Sequence, residues 1–205
     1  MLFPSGHPVL MAILGSGGDA CAGPSLAGGA DLLQIRAGDL PPHDLAALAR
    51  ALVATTRAGD RIIVNARPDL AELVGALGVH LKETGLPVAM VRKHFPGLVV
   101  GVSRHDRAGL IRAADEGADY AILGPVFATP GKEARALGLD RFRAAIEGLA
   151  MPVLAVGGIT SETAPDVIRA GAAGIAGIRP FADAATAAVC AADLRRALDD
   201  AVLRS

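Results

Sequence analysis

Residues 98–123 read LVVGVSRHDRAGLIRAADEGADYAIL, and the rest of the chain repeats the pattern of this stretch. A β-branched apolar run, Leu98–Ser103, is followed by a turn and then by Arg107–Gly117, whose apolar residues recur on one face at helical spacing. A second apolar run, Tyr120–Leu123, follows the helical segment. The order of strand, helix and strand predicts two parallel strands joined by a crossover helix.

Apolar runs of this kind recur along the whole chain. The predicted strands are Val9–Leu14, Leu32–Arg36, Arg61–Asn65, Val79–Leu81, Leu98–Ser103, Tyr120–Leu123, Val153–Val156 and Gly174–Ile178. The predicted helices are Asp44–Thr55, Pro68–Leu77, Pro87–His94, Arg107–Gly117, Leu139–Leu149, Glu162–Ala170 and Ala184–Leu203. The strands are continuous apolar runs rather than alternating ones, which indicates that both of their faces are buried, as in a parallel sheet.

The number of repeats and the chain length indicate how the sheet is arranged. The chain has 205 residues, so eight units have about 25 residues each, which is what a mean strand, a mean helix and two short loops require. We therefore predict an α/β protein with a single (β/α)8 (TIM) barrel domain over residues 1–205. A doubly wound open sheet is the alternative.

The first unit has a glycine-rich stretch that formally satisfies a dinucleotide-binding fingerprint. Gly15-Ser16-Gly17-Gly18-Asp19-Ala20 follows a predicted strand, but such a fingerprint binds a pyrophosphate only where a helix begins. Gly23-Pro24 follows almost at once and leaves little room for a good helix. We therefore interpret the stretch as a flexible loop.

Composition and charge exclude several classes of protein. The formal net charge is −1, and 52% of the residues are hydrophobic but only 3% are aromatic. These values disfavour disorder and a nucleic-acid-binding surface, and they predict a core of small aliphatic side chains. Cys21 and Cys190 are too few for a disulfide framework or a zinc site. Apolar runs are too short for a membrane span, and no basic segment precedes the first one, so we expect a soluble cytoplasmic protein.

Two neighbouring loops at the end of the chain predict a phosphate site. Gly157 and Gly158 directly follow the seventh strand, and Arg179 directly follows the eighth, which ends at Ile178. In barrels of this type the loops after strands seven and eight commonly bind phosphate, because glycines let backbone amides approach an anion. Arg179 could add a charged contact.

Polar residues at the carboxyl ends of otherwise apolar strands are the remaining site candidates, because barrel chemistry takes place at that end. They are Gln34, Arg36, Asn65, His80, Ser103, His105, Thr129 and Lys132. His105 is the candidate for proton transfer, since imidazole changes its protonation state near neutral pH. His80 lies within a strand, where a hydrogen-bonded core histidine is the more frequent outcome. No metal site is predicted, because Asp39, Asp69 and Asp106 are not spaced as a cage.

Several motifs occur in an order that resembles the thiamin phosphate synthase / TenI superfamily of (β/α)8 barrels, over about residues 30–180. They are Leu33-Gln34-Ile35-Arg36, Ile63-Val64-Asn65-Ala66-Arg67-Pro68-Asp69, Gly78-Val79-His80-Leu81, Gly101-Val102-Ser103-Arg104-His105, Asp119-Tyr120, Gly124-Pro125-Val126-Phe127-Ala128-Thr129, Lys132 and Gly157-Gly158-Ile159. The resemblance implies a phosphorylated thiazole as ligand and an enzyme of thiamin biosynthesis. Charge and the short apolar runs predict neither nucleic acid nor a membrane as a partner, and a homodimer is a further expectation.

The two branches of that superfamily differ in what they need. The synthase branch couples a pyrimidine pyrophosphate to a thiazole phosphate with Mg²⁺, and its pattern has a lysine at the position of Gly38 and aspartates at those of Ala66 and Gly85. Without these groups a leaving pyrophosphate lacks its usual counter-charge. Glu83 could supply one carboxylate.

The TenI-like branch lacks the same groups and shifts a proton on a thiazole carboxylate phosphate with a histidine that corresponds to His105. We therefore expect a thiazole tautomerase that needs no cofactor. Its phosphate would bind Gly157, Gly158, Ile178 and Arg179, beside Gln34, Arg36, Asn65, Ser103, Thr129 and Lys132. The alternatives are a Mg²⁺-dependent synthase and a catalytically silent barrel that binds a phosphorylated ligand as a regulator. The phosphate loop departs from the family pattern at Arg179-Pro180-Phe181, because Pro180 removes a backbone donor.

Overall fold

The eight strands form one closed parallel barrel in chain order, as predicted. The computed structural model describes residues 2–4, 6–55, 61–129 and 136–203. The strands are β1 (Val9–Leu14), β2 (Leu32–Ile35), β3 (Ile62–Asn65), β4 (Gly78–Leu81), β5 (Val99–Arg104), β6 (Tyr120–Leu123), β7 (Val153–Val156) and β8 (Gly174–Gly177). Each strand pairs with the next, and β8 closes the barrel on β1 through pairs such as Met11 with Ala176. The alternative of an open sheet is therefore wrong.

Helices connect the strands on the outside of the barrel. They are α1 (Asp19–Ala27), α2 (Pro42–Thr55), α3 (Pro68–Val74), α4 (Val88–His94), α5 (Arg107–Asp115), α6 (Leu139–Ile146), α7 (Ala164–Arg169) and α8 (Ala184–Leu203). A single 3₁₀ turn, Arg179–Phe181, lies between β8 and α8. The predicted bounds of α3 and α7 are too wide. The α3 helix ends at Gly75, which has the left-handed conformation (φ +70°) of a C-cap.

The expectation that the first unit leaves little room for a helix is wrong. Helix α1 has nine residues and contains Pro24, and its Cys21, Ala22 and Ser25 are buried. Its packing explains why it forms against its poor helix propensity: a Cβ on Gly28 would lie 2.3 Å from the carbonyl oxygen of Ala188 in α8. The glycine thus permits a backbone contact with α8 that a larger residue would prevent. The closed barrel also argues against a dinucleotide site at Gly15–Ala20, because that motif belongs to an open sheet.

The hydrophobic core has two layers, one on each face of the sheet. Alternate residues of each strand point outward and pack under the helices, such as Leu10, Ala12 and Leu14 of β1. The others fill the inside of the barrel, where Val9, Met11 and Ile13 meet side chains of the other strands. Both faces of most strands are buried, as the continuous apolar runs predicted. No helix in the described parts of the chain is both long and apolar enough to cross a membrane.

Candidate functional site

Gln34 and Asn65 begin the polar surface at the carboxyl end of the barrel. Gln34 is only 2% exposed, and its side-chain amide donates to Oδ1 of Asn65 on the neighbouring strand, at 3.2 Å. Oε1 of Gln34 is buried without a hydrogen-bond partner among the described residues. A buried carbonyl oxygen of this kind is costly unless it accepts a hydrogen bond, so it is available to a donor at the mouth. The structure thus brings these two predicted residues together.

His80 links the inside of the barrel to the mouth. Its Nε2 lies 2.8 Å from Oγ of Ser103, and its Nδ1 lies 3.2 Å from the hydroxyl of Tyr120. Burial lowers the pKa of His80 to about 3, with smaller contributions from the positive charges of Arg36 and Arg104. The imidazole is therefore neutral at physiological pH, which confirms the interpretation of His80 as a hydrogen-bonded core histidine.

Tyr120 was not among the predicted site residues. It is fully buried, and burial together with the nearby carboxylate of Asp119 raises the pKa of its phenol. Tyr120 is therefore a protonated hydroxyl beside His80. The sequence signal for it was Gly101, because a glycine inside a strand often marks the close approach of another group.

His105 lies beyond the end of β5 and is exposed. Its Nδ1 lies 2.7 Å from the carbonyl oxygen of Gly124, which can only accept, so Nδ1 carries the proton. The side chain is 60% exposed, and its Nε2 lies 3.6 Å from the carboxylate of Glu83. In the neutral ring, Nε2 is then the unprotonated nitrogen, and it lies beside the carboxylate of Glu83. This is the arrangement of a base that a neighbouring carboxylate can stabilise once the ring is protonated.

Two arginines lie close enough to His80 to affect its charge. Both Arg36 and Arg104 act on the charge of His80, which places them near it. Arg36 is exposed, whereas Arg104 is half-buried and donates to the carbonyl oxygens of Gly109 and Ser103. Arg104 was not predicted as a site residue. Because Arg104 alternates with Ser103 along β5 and bonds to α5, its side chain lies on the helix side of the strand.

The glycine pair after β7 has the conformation that the phosphate hypothesis requires. Gly157 and Gly158 have φ values of +99° and +65°, which residues with a side chain rarely adopt. A Cβ on Gly158 would lie 2.7 Å from the carbonyl oxygen of Ala128. Among the described residues, the amides of Gly158 and Ile159 have no backbone acceptor. These amides are therefore available to an anion.

The loop after β8 presents a different surface. Ile178 is 43% exposed, and Arg179 is exposed at the start of the 3₁₀ turn. The amide of Arg179 has no backbone acceptor in the described part of the chain, whereas Pro180 has no amide N–H to donate. Because α7 begins only at Ala164, the donors for an anion are loop amides and not the end of that helix.

Thr129 and Lys132 lie in the loop after β6. Thr129 is half-buried, and Lys132 lies outside the described residues, so the prediction for it has no structural outcome. The two ends of this loop are tied together, since the amides of Leu137 and Gly138 donate to the carbonyl oxygens of Pro125 and Val126. The described start of this loop lies beside the Gly157–Gly158 turn, because the amide of Phe127 donates to the carbonyl oxygen of Gly157.

The residues at the mouth do not fit a Mg²⁺ site. Ala66 follows Asn65 with a φ of +61° and brings no carboxylate. Two of the carboxylates predicted near the mouth have other partners: Asp69 binds Arg67 at 2.8 Å, and Asp106 accepts from the amide of Gly109 at 2.6 Å. No group of three His, Cys, Asp or Glu side chains that could hold a metal occurs in the described ranges. Glu83 alone would leave a divalent cation without its usual carboxylate pair.

An eight-stranded parallel barrel with its polar groups at the carboxyl ends of the strands has the architecture of a (β/α)8-barrel enzyme. The chain belongs to the thiamine monophosphate synthase family, whose model matches residues 18–181. This confirms the superfamily resemblance and identifies an enzyme of thiamine biosynthesis.

Relatives and a solved structure agree with the family. A putative thiamine-phosphate synthase of Geobacter sulfurreducens is 43% identical over 156 residues, which are 74% of this chain and 73% of that protein. A thiamine-phosphate synthase of Methanoculleus marisnigri is 45% identical over 157 residues, 73% of each chain. The thiamine phosphate pyrophosphorylase of Pyrococcus furiosus superimposes with a TM-score of 0.86 at 29% identity, over 94% of this chain and 96% of that one. All three names refer to the synthase reaction, and they favour the transferase alternative over the isomerase.

Proposed function

We propose that this chain is a thiazole tautomerase of thiamine biosynthesis, which aromatises a thiazole carboxylate phosphate by moving one proton. The observation that carries the proposal is the 2.7 Å contact between Nδ1 of His105 and the carbonyl oxygen of Gly124. It fixes the tautomer, so that Nε2 of the exposed ring is the unprotonated nitrogen and can accept a proton from a ligand. A general base needs this orientation more than it needs burial.

The rest of the mouth supports an anchored anionic substrate. The free amides beside Gly158 and the guanidinium of Arg179 would bind the phosphate, at one side of the opening. Arg36 would face the carboxylate from the other side, next to Ser103 and Asn65. A proton shift on a substrate held at both ends requires no metal, and Glu83 would stabilise the protonated His105 between the two transfers.

The test is a direct assay with matched histidine variants. The purified protein is incubated with the non-aromatic thiazole carboxylate phosphate, and the aromatic ring is followed by its ultraviolet absorbance. His105→Asn should lower turnover by about 10² to 10⁴, the usual contribution of a general base, while substrate binding changes little. His94→Asn is the control, because His94 is exposed at the end of α4. Equal turnover in the His105 variant and the wild type would contradict the proposal.

The synthase reaction is the second candidate, because the relatives named above carry that activity in their names. The wild type is mixed with pyrimidine pyrophosphate, thiazole phosphate and Mg²⁺, and thiamin phosphate is measured. Coupled product from the wild type would favour the synthase. If the missing carboxylates prevent coupling, the double variant Ala66→Asp, Gly85→Asp should gain activity over the wild type. Ligand binding without either conversion would instead support the regulator.

A further inference from the structure

A line of polar groups crosses three strands inside the barrel. His80 of β4 is paired in register with Gly101 of β5, and Gly101 is paired with Tyr120 of β6. Neighbours in register on adjacent strands point to the same face of the sheet, so His80 and Tyr120 point inward on either side of Gly101. Their rings have centroids 5.7 Å apart. Ser103 lies two residues farther along β5, one layer nearer the mouth.

Gly101 is what allows the two rings to meet. A Cβ at this position would lie 2.0 Å from Cζ of Tyr120 and 2.4 Å from its hydroxyl oxygen. Any side chain would therefore separate the phenol from the imidazole. Because the glycine leaves the space open, Nδ1 of His80 and the Tyr120 hydroxyl lie at 3.2 Å.

The burial of Tyr120 decides the direction of the hydrogen bonds. Its hydroxyl has one partner among the described residues, which is Nδ1 of His80. A buried O–H that donates to nothing is costly, so Tyr120 must donate and Nδ1 must accept. A neutral imidazole carries one proton, which is then on Nε2.

The tautomer of His80 determines how Ser103 is hydrogen-bonded. Nε2–H of His80 donates to Oγ of Ser103 at 2.8 Å. Because Oγ is the acceptor in this hydrogen bond, the hydroxyl proton of Ser103 is free to be donated to another group. Ser103 is half-buried near the end of β5, and its Oγ is the last polar atom of this line. We propose that Tyr120 and His80 are positioning residues that hold the Ser103 hydroxyl as a hydrogen-bond donor toward an anionic oxygen of the ligand. The nature of that ligand rests on the proposed function, but the direction of the hydrogen bonds does not.

Nitrogen NMR of the histidine rings tests the direction without any ligand. In protein labelled with ¹⁵N-histidine, the signals of His80 are those that disappear in His80→Gln. We expect a neutral ring with its proton on Nε2 and an unprotonated Nδ1. Tyr120→Phe removes the donor to Nδ1 and should lower the protonated fraction of Nε2. The proposal is overturned if the wild-type ring carries its proton on Nδ1, or if Tyr120→Phe leaves the ring signals of His80 unchanged.

A control variant distinguishes the loss of the Tyr120 hydrogen bond from a change in the packing of its ring. Phe3 contacts the ring of Tyr120, with centroids 5.5 Å apart, but its side chain has no group that can hydrogen-bond to Tyr120 or His80. Phe3→Leu therefore perturbs the same residue and should leave the tautomer of His80 unchanged. A tautomer change in this control as large as that in Tyr120→Phe would assign the effect to packing and overturn the proposal.

Ligand binding tests whether the tautomer of His80 affects the Ser103 hydroxyl at the mouth. Calorimetry with thiazole carboxylate phosphate should show about threefold to tenfold weaker binding for both Ser103→Ala and Tyr120→Phe, the effect of one hydrogen bond, and wild-type binding for Ser103→Thr. Full affinity in Tyr120→Phe with loss in Ser103→Ala would overturn the positioning role. A wild type that binds no thiazole would count against the proposed function alone, because the ring-nitrogen result is obtained without ligand.

Discussion

The two sides of the barrel mouth hold their polar groups by different means. On the side of β4, β5 and β6, side chains bind one another in a fixed chain from Tyr120 through His80 to Ser103. On the side of β7 and β8, glycines expose backbone amides that have no acceptor of their own among the described residues. On the first side, the hydrogen bonds among the three side chains are already formed and orient one donor, the Ser103 hydroxyl. On the second side, the backbone amides lack acceptors, and a ligand can supply them. Substitutions on the first side should therefore reduce stability as well as binding, whereas those on the second side should act mainly on binding.

The sharpest test of the first side is Gly101→Ala. The added Cβ would lie 2.0 Å from Cζ of Tyr120, inside a closed barrel that has no room to relax. We expect the free energy of unfolding to fall by about 3 kcal/mol, at the upper end of overpacking effects. Urea denaturation measures the change. A loss below about 1 kcal/mol would show that the phenol can move aside, and the two sides would then differ less than described.

The buried imidazole predicts a second difference, in pH dependence. The unfolded chain protonates His80 near its ordinary pKa of 6.5, but the folded protein does so only near 3. Folding stability from this group is therefore complete above about pH 6.5 and is lost as the pH falls toward 3. Between pH 7 and pH 5 the loss is about 2 kcal/mol. His80→Gln should remove that part of the pH dependence, which urea titrations at the two pH values would show; parallel curves for both proteins would contradict it.

On the second side, Gly158→Ala should act mainly on binding. The residue has a φ of +65°, and its Cβ would lie 2.7 Å from the carbonyl oxygen of Ala128. The loop must therefore shift, and we expect phosphate affinity to fall about tenfold, with a stability loss of about 1–2 kcal/mol. Gly148→Ala is the matched control, because Gly148 also has positive φ (+74°) but an open surrounding. Equal affinity in both variants would remove Gly158 from the site.

The smallest effect is expected at Ala66, which lies between the two sides. Alanine is strained at a φ of +61°, so Ala66→Gly should raise the free energy of unfolding by about 0.5–1 kcal/mol. Ala192→Gly, inside α8, should lower it by about 1 kcal/mol, because glycine weakens an ordinary helix. Thermal unfolding of the two variants compares them. A destabilised Ala66→Gly would show that the backbone there carries no strain.

The sequence predicted the barrel because strand and helix patterns are local and repeat. It predicted the position of His105 for the same reason, since a residue that follows a strand must lie at the mouth. It could not predict that Gly124 would hold His105, because that contact depends on the register of β5 against β6. It also missed α1, where a close backbone contact at Gly28 compensates for poor helix propensity.

The same limits explain why Tyr120 and Arg104 were missed. Tyr120 begins its strand at the end of the barrel opposite the mouth, and only the missing side chain of Gly101 connects it to His80. Arg104 belongs to β5 itself, and its guanidinium donates to the carbonyl oxygens of Ser103 and Gly109. Contacts between strands are decided by three-dimensional register, which spacing along one chain does not show.

The contact of Phe3 with Tyr120 places the beginning of the described chain at the floor of the barrel. Phe3 packs on the lowest ring of a line that ends at Ser103, but its side chain has no hydrogen-bonding group and takes no part in that line. A fusion partner attached just ahead of Phe3 would therefore act on the packing of the barrel floor, and the tautomer of His80 should be the same in tagged and untagged protein.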